Sequence, residues 1–217
     1  GVTPINPTIC EGSSINLTVS GASTYTWSPS TSLNTNLGSI VQASPQTSTT
    51  YSIIAQGVNG CEDTIQADVS VIPAPTLSAF PTSVEICQGD SISVFLAGAD
   101  NYTWTPNNAI NSINNDTVLL YPVNSLTYSI MGANSFGCTS ILQVPVTVHI
   151  NPSVNINASL NPVCLGEISI LNASGANVYS WQPSSSLSLT TGSNVSALPS
   201  SSTTYSVIGT DLNNCAS

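Results

Sequence analysis

The sequence predicts an all-β fold of three tandem, antiparallel two-sheet sandwich modules arranged in an elongated rod. Two observations carry this prediction. The chain repeats itself with a period of 77 residues, and within each repeat apolar residues alternate with polar ones. Such alternation is typical of β-strands with one buried face, and several short strands at regular spacing indicate a sandwich. Nothing in a repeat shows a helical period over ten residues.

The repeat keeps its register without insertion across many residue types. Cysteines, tryptophans, tyrosines and glycines all recur at intervals of 77 residues. Self-similarity at a fixed period indicates an array of equivalent structural units. The triplets are Cys10, Cys87 and Cys164; Cys61, Cys138 and Cys215; Trp27, Trp104 and Trp181; Tyr51, Tyr128 and Tyr205; and Gly21, Gly98 and Gly175.

Strands and turns can be placed within a repeat. Apolar residues occupy alternate positions in the segments 15–19 and 65–71, and the cluster Asn59-Gly60 supplies a turn between strands. Pro145 falls on the outward phase of its predicted strand. Because proline has no backbone donor, we expect that strand to lie at the edge of a sheet.

Prolines after Ile72 and Ile150 mark the module boundaries, which we place at residues 1–72, 73–150 and 151–217. The first module has a shortened first strand, and the third lacks a last strand matching residues 65–71. A sandwich without that strand exposes backbone groups. We therefore expect either that the chain is a window from a longer array or that a neighbouring chain supplies the strand.

The third module departs from the alternating pattern of the other two. Ser169, Leu171 and Ala173 match the inward positions of the first module, while Ile168 and Ile170 fall on the outward phase. Two explanations remain open. A β-bulge resets the register there, or the two isoleucines face another module.

The cysteines predict disulfides within modules. Each module holds two cysteines at a constant offset of 51 residues, and a bridge closing such a loop is worth about 4 kcal/mol in the chain-entropy model. Thiolate metal sites need closely spaced cysteine pairs, which are absent, so neither a metal nor another cofactor is expected. Six cysteines suit an oxidising compartment. The predicted bridges, which leave no cysteine free, are Cys10–Cys61, Cys87–Cys138 and Cys164–Cys215.

The recurring aromatic residues are expected to form the module cores. Large aromatic side chains on central strands dominate the packing of small sandwiches. We predict buried positions, and not exposed binding platforms, for Trp27, Trp104, Trp181, Tyr51, Tyr128 and Tyr205.

Charge excludes several classes of partner. The chain has no lysine or arginine, ten acidic residues and a formal net charge of −10. It therefore has no cations for nucleic-acid phosphates or for an anionic bilayer surface. No apolar run approaches the roughly 18 residues that a membrane-spanning helix needs, so we expect no membrane insertion in this segment.

At these residues the chain resembles the immunoglobulin-like (PKD-like) tandem repeats of Bacteroidetes cell-surface and gliding-associated adhesins exported by type IX secretion. The pattern runs Cys-x-Gly, Gly-Ala, Tyr-x-Trp-x-Pro, Thr-Tyr-Ser and Gly-Cys, and the third module ends Asn214-Cys215 instead. The second module matches at Cys87, Gly89, Gly98, Ala99, Tyr102, Trp104, Pro106, Thr127, Tyr128, Ser129, Gly137 and Cys138.

The resemblance implies an extracellular or cell-surface stalk, adhesin or filament shaft without catalytic residues. Its partners would be other copies or further repeats of the same protein, together with surface glycans or proteins. O-glycosylation at Asp-Ser/Thr followed by an apolar residue is common in that context. Three residues match this pattern and are candidate glycosylation sites: Thr64, Ser91 and Thr117.

No residue constellation for catalysis recurs in the repeats. The single histidine, His149, lies at the second linker, and the matching residue of the first module is Ile72. No module can assemble a Ser-His-Asp triad, and the chain has no lysine nucleophile. We therefore expect no enzyme. A passive structural array and a glycan- or protein-binding adhesin module remain as alternatives, and exposed aromatics would favour the second.

Overall fold

The computed structural model describes all 217 residues and contains nineteen β-strands and no helix. Each module begins with short strands and, in the first two modules, ends with a strand of 11 residues. The strands of the first module are β1 (Val2–Thr3), β2 (Thr8–Cys10), β3 (Ile15–Val19), β4 (Thr24–Ser28), β5 (Ile40–Ala43), β6 (Thr49–Gln56) and β7 (Glu62–Ile72).

The second module repeats these elements, and the third contains only five strands. The second consists of β8 (Ser78–Phe80), β9 (Val84–Cys87), β10 (Ile92–Ala97), β11 (Asn101–Thr105), β12 (Thr117–Leu120), β13 (Leu126–Ala133) and β14 (Thr139–His149). The third consists of β15 (Asn155–Ala158), β16 (Ser169–Ser174), β17 (Val178–Gln182), β18 (Asn194–Ala197) and β19 (Ser206–Thr210).

Each complete module is a sandwich of a three-stranded and a four-stranded sheet. In the first module the orders are β1-β3-β5 and β2-β7-β6-β4, and the second module repeats them as β8-β10-β12 and β9-β14-β13-β11. The prediction of three tandem immunoglobulin-like sandwiches is confirmed. One pairing in each complete module is parallel and not antiparallel, because β2 and β9 have crossed from one sheet to the other and run alongside β7 and β14.

The alternating sequence decides which side chains enter each core. In β4, Tyr25 and Trp27 point inward while the flanking threonines and serine remain exposed. Leu17, Val41 and Ile53 are fully buried against them. Each such aliphatic side chain contributes about 1.5–3 kcal/mol on burial, so the period-2 pattern supplies both the strand geometry and the driving force.

The register of the third module is the same as that of the others. Ser169, Leu171 and Ala173 are buried in β16, whereas Ile168 and Ile170 are exposed. Neither open explanation holds, because the strand carries no inserted residue and the isoleucines face solvent. The buried Ser169 hydroxyl donates a hydrogen bond to the Leu160 carbonyl at 2.8 Å, which compensates its desolvation.

The prediction that Pro145 marks an edge strand is wrong. β14 lies between β13 and β9 in the four-stranded sheet. However, β9 pairs only with the stretch from Val146 to His149, so β14 has no neighbour on that side at Pro145. A proline without a donor is tolerated there because no partner strand requires its N–H.

Candidate functional sites at the module junctions

The structure pairs the cysteines across modules and not within them. Cys10 bonds Cys138 and Cys87 bonds Cys215, each with an S–S distance of 1.99 Å and a sequence separation of 128 residues. Cys61 and Cys164 are free and exposed. The predicted bridges Cys10–Cys61, Cys87–Cys138 and Cys164–Cys215 are therefore wrong, as is the prediction that no cysteine is free.

The length of the last strand explains the correction. Cys10 pairs in register with Ile72 at the end of β7, whereas Cys61 directly precedes the first residue of that strand. Eleven residues of strand span roughly 36 Å, and a disulfide needs Cα atoms within about 7 Å. The two cysteines of one module thus lie at opposite ends of the sandwich, too far apart for a bridge within the module.

A side-chain turn presents the second cysteine at each junction. The Asn134 carboxamide oxygen accepts hydrogen bonds from the backbone N–H of Phe136 and of Cys138, at 3.1 and 3.0 Å. Its Nδ2 donates to the Pro73 carbonyl of the linker at 3.2 Å. Asp211 accepts equivalent bonds from Asn213 and Cys215. The loop that carries free Cys61 has Gly57 at this position and makes no such bond.

Glycines allow each linker to lie against the following module. A Cβ atom on Gly98, which has φ +107°, would stand 1.9 Å from the Thr76 carbonyl oxygen. Gly175 has the same relation to Ser153. In the first module, by contrast, nothing lies within 4 Å of the corresponding position on Gly21. Glycine at the two junctions is therefore required both by its backbone angle and by contact with the linker.

His149 and Asn151 complete the second junction. The His149 Nε2 atom lies 3.2 Å from a carboxylate oxygen of Glu85. Asn151 donates through Nδ2 to the Gln88 carbonyl at 3.1 Å. The imidazole has no serine or cysteine nucleophile among its hydrogen-bond partners, and no three His, Cys, Asp or Glu side chains cluster as a metal site requires. These contacts link the end of β14 and the following linker to β9 and the residue after it.

The recurring aromatics occupy the module interiors with one exception. The three tryptophans are buried, and each indole N–H donates to a backbone carbonyl, at 2.9 Å for Trp27, 3.2 Å for Trp104 and 2.9 Å for Trp181. Tyr51 and Tyr128 are fully buried, whereas Tyr205 is partly exposed. Module three therefore differs from the other two at its tyrosine position.

The phenol of Tyr128 lies in surroundings that raise its pKa. Burial raises the pKa of Tyr128 above its usual value of 10, and nearby Tyr121 raises it further. The hydroxyl donates towards the carbonyls of Asn108 and Ala109, both at 3.0 Å, and the ring packs edge-on against Trp104 with centroids 5.9 Å apart. These contacts favour the neutral phenol and belong to the core.

The three candidate glycosylation sites, Thr64, Ser91 and Thr117, are all exposed. Exposure is necessary for modification, and their glycosylation stays a prediction. The structure contains no helix of sufficient length and apolar character to cross a membrane.

The surface of the modules has two further features. A groove of about 610 Å³ opens in the third module between residues 156–165 and residues 199–205. In the second module, Phe80 and Phe95 are register partners on the outer face of the three-stranded sheet and are both exposed. The first module has Thr3 and Thr18 at these positions.

Scans against protein-family models and against curated proteins found no match. Among solved structures, the chain is similar to the N-terminal eight Ig domains of Down Syndrome Cell Adhesion Molecule, with 17% identity, 88% of this chain covered and a TM-score of 0.42. The match spans 36% of that structure.

An I-band fragment of titin is similar at 12% identity, with 100% of this chain and 96% of that chain covered and a TM-score of 0.42. The insect immune protein hemolin is similar at 13% identity, with 69% and 46% covered and a TM-score of 0.36. TM-scores below 0.5 are too low for these likenesses to support a functional assignment.

Proposed function

We propose that this chain is a non-enzymatic, extracellular structural repeat, acting as a stalk or filament shaft of a bacterial surface adhesin and divided at residues 72/73 and 150/151. The observation that carries the proposal is the overlap of the two disulfide loops. The loop closed by Cys10 and Cys138 contains Cys87, and the loop closed by Cys87 and Cys215 contains Cys138. One bridge therefore joins modules one and two, the other joins modules two and three, and the two disulfide loops overlap along the chain.

The overlap limits how far the chain extends under tension. The shortest covalent path runs from the N-terminus to Cys10, across to Cys138, back to Cys87 and across to Cys215. It comprises about 62 residue steps, or roughly 210 Å when fully stretched, against roughly 730 Å for the whole chain without bridges. A tether that resists extension even when its modules unfold suits a load-bearing stalk.

Composition supports an extracellular setting for this tether. Disulfides persist in oxidising compartments and are reduced in the cytosol. The chain has no lysine or arginine at which a trypsin-like protease could cleave. The strong negative charge keeps an extended array soluble and discourages non-specific association.

Single-molecule pulling between the termini tests the proposal. We expect a final contour length near 210 Å under non-reducing conditions and near 730 Å after reduction or in a Cys10→Ser, Cys87→Ser double variant. A Cys61→Ser, Cys164→Ser double variant removes only the free thiols and is the matched control, with the short length retained. Full extension of the oxidised wild-type chain would contradict the clamped stalk.

A second candidate function is direct binding of a glycan or protein, which the exposed Phe80–Phe95 pair favours. Aromatic faces next to one another on a sheet suit stacking against a sugar ring or an apolar side chain. The pair occurs only in module two, since module three has Asn157 and Asn172 there. A glycan array with the wild type and a Phe80→Thr, Phe95→Thr variant tests it. Equal binding by both proteins would exclude this patch as the site.

A further inference from the structure

The turn at residues 57–61 of module one contains two neighbouring groups that can react with each other. Asn59-Gly60 is the only Asn-Gly pair of the chain, and both residues are exposed. Asparagine is among the thermolabile residues of proteins, and a following glycine has no Cβ to shield its backbone nitrogen. A Cβ built on Gly60, at φ +76°, would meet nothing within 4 Å. The Gly60 nitrogen and the Asn59 carboxamide are therefore sterically free to approach each other.

Two backbone hydrogen bonds hold this turn. The Gly57 N–H donates to the Cys61 carbonyl at 2.9 Å, and the Gly60 N–H donates to the Gly57 carbonyl at 3.0 Å. The second bond has to open before the Gly60 nitrogen can reach the Asn59 side chain. Local opening needs least free energy in exposed segments with few contacts. The reactivity of the pair thus depends on how firmly the turn is held.

The equivalent turns of the other two modules are held more firmly. In each of them a side-chain oxygen, from Asn134 in module two or Asp211 in module three, accepts hydrogen bonds from two N–H groups of the turn. Gly57 occupies this position in module one and has no side chain to accept such bonds. The difference is set by one residue inside the turn, and it leaves the turn with Asn59 the easiest of the three to open.

We propose that Asn59-Gly60 is a site of spontaneous backbone modification, at which Asn59 is converted to aspartate and isoaspartate. The Gly60 nitrogen loses its proton to base and attacks Cγ of Asn59. A new N–C bond forms, the carboxamide C–N bond breaks, and ammonia leaves. Water then opens the resulting succinimide ring at either carbonyl, which gives aspartate or, with the main chain routed through Cγ, isoaspartate. Water is the only co-reactant, and no electrons are transferred.

The products change the surface of module one beside the start of β7. Each product adds one negative charge to a chain whose formal net charge is already −10. Isoaspartate also inserts an extra carbon atom into the main chain ahead of Gly60, close to Cys61, which directly precedes β7. The proposal goes beyond the stalk function and does not depend on it, because the conversion is measured by mass on the unloaded protein.

Peptide mapping of the full chain, after incubation in heavy-oxygen water at mildly alkaline pH, is the direct test. We expect Asn59 to lose its amide nitrogen and to take up heavy oxygen. An isoaspartate-specific methyltransferase should then label the peptide that contains it. Asn213 is the internal control, because it is equally exposed at the equivalent position, is followed by Asn214 and keeps its amide. An unmodified Asn59 would overturn the proposal, as would conversion of Asn213 at the same rate.

Two substitutions at one position test the role of the turn with the Asn-Gly pair intact. A Cβ on Gly57 would lie 3.7 Å from the Cys61 carbonyl oxygen, which is an ordinary contact. Gly57→Asn supplies the carboxamide oxygen of the other turns and should slow the conversion at least about fivefold, because two added hydrogen bonds oppose opening. Gly57→Ala adds the Cβ alone and should react at close to the wild-type rate. Equal rates in the two variants would refute the role of the turn. If Gly57→Asn fails to fold, the comparison of Asn59 with Asn213 in the wild type decides.

Discussion

Modules two and three share the same repeating sequence pattern but differ in the number of strands. Module two has seven strands and 13 buried core residues, while module three has five strands and a core of six. Ile86 belongs to β9, yet Val163 at the same position lies outside any strand. The two segments differ in sequence, because module three has Asn161 and Pro162 where module two has Val84 and Glu85. They also differ in whether a partner such as β14 lies beside them. Strand formation at this position therefore goes with both a paired neighbour and a sequence without proline.

The largest expected consequence is a difference in stability between these two modules. Each module has one tryptophan, so variants retaining only Trp104 or only Trp181, with phenylalanine at the other two positions, report on a single module by fluorescence. We expect module three to unfold at lower denaturant, with a free energy of unfolding at least about 3 kcal/mol smaller, because its core buries fewer aliphatic side chains.

If Trp104 and Trp181 report the same unfolding transition, the expected difference in stability between the two modules is wrong. They would mean that the Cys87–Cys215 bridge couples the modules into one cooperative unit. Repeating the measurement under reducing conditions separates the two explanations, since only the coupling depends on the disulfide.

A smaller difference in stability is expected between glycine substitutions at a module junction and at the corresponding position of module one. Gly98→Ala and Gly21→Ala both introduce a Cβ at positive φ, at a cost of about 1–3 kcal/mol each. Only the Gly98 variant also collides with the linker at Thr76, which adds roughly 1–3 kcal/mol. Thermal unfolding of the two variants measures the difference. Equal losses would show that the linker moves aside freely.

The smallest expected effect concerns the pH dependence of module two. Because the pKa of Tyr128 is raised in the folded state, its contribution to stability is fully present below pH 10 and is lost as pH rises through the folded pKa. We expect the Trp104 transition to weaken above pH 10 in the wild type. Tyr128→Phe should flatten that decline, although it also removes the hydroxyl contacts. An unchanged alkaline slope in the variant would rule out Tyr128 as its cause.

The disulfide partners at the module junctions could not be inferred from the sequence. Constant spacing fits a bridge within modules at an offset of 51 residues, which occurs three times, as well as a bridge between modules at 128, which occurs twice. Spacing therefore could not choose between them. The length of β7 would have helped, since a strand of 11 residues separates Cys61 from the end of the module where Cys10 lies.

The groove of the third module was within reach of the sequence, whereas the Phe80–Phe95 pair was not. The absence of a segment matching residues 65–71 in module three predicts an uncovered core, and the structure locates that opening beside Tyr205. The phenylalanine pair depends on the register between β8 and β10. A register between strands far apart in the chain is a property of the assembled sheet, so residue spacing within one repeat does not reveal it.

The sequence by itself determined the repeat, the strand content and the inward face of most strands. These follow from a period of 77 residues and from side-chain alternation, which are local properties of the chain. Only the tertiary structure decided the disulfide partners, the central position of the strand with Pro145 and the outward orientation of Ile168 and Ile170. The physical reason is that each depends on which strand ends and module faces meet in space.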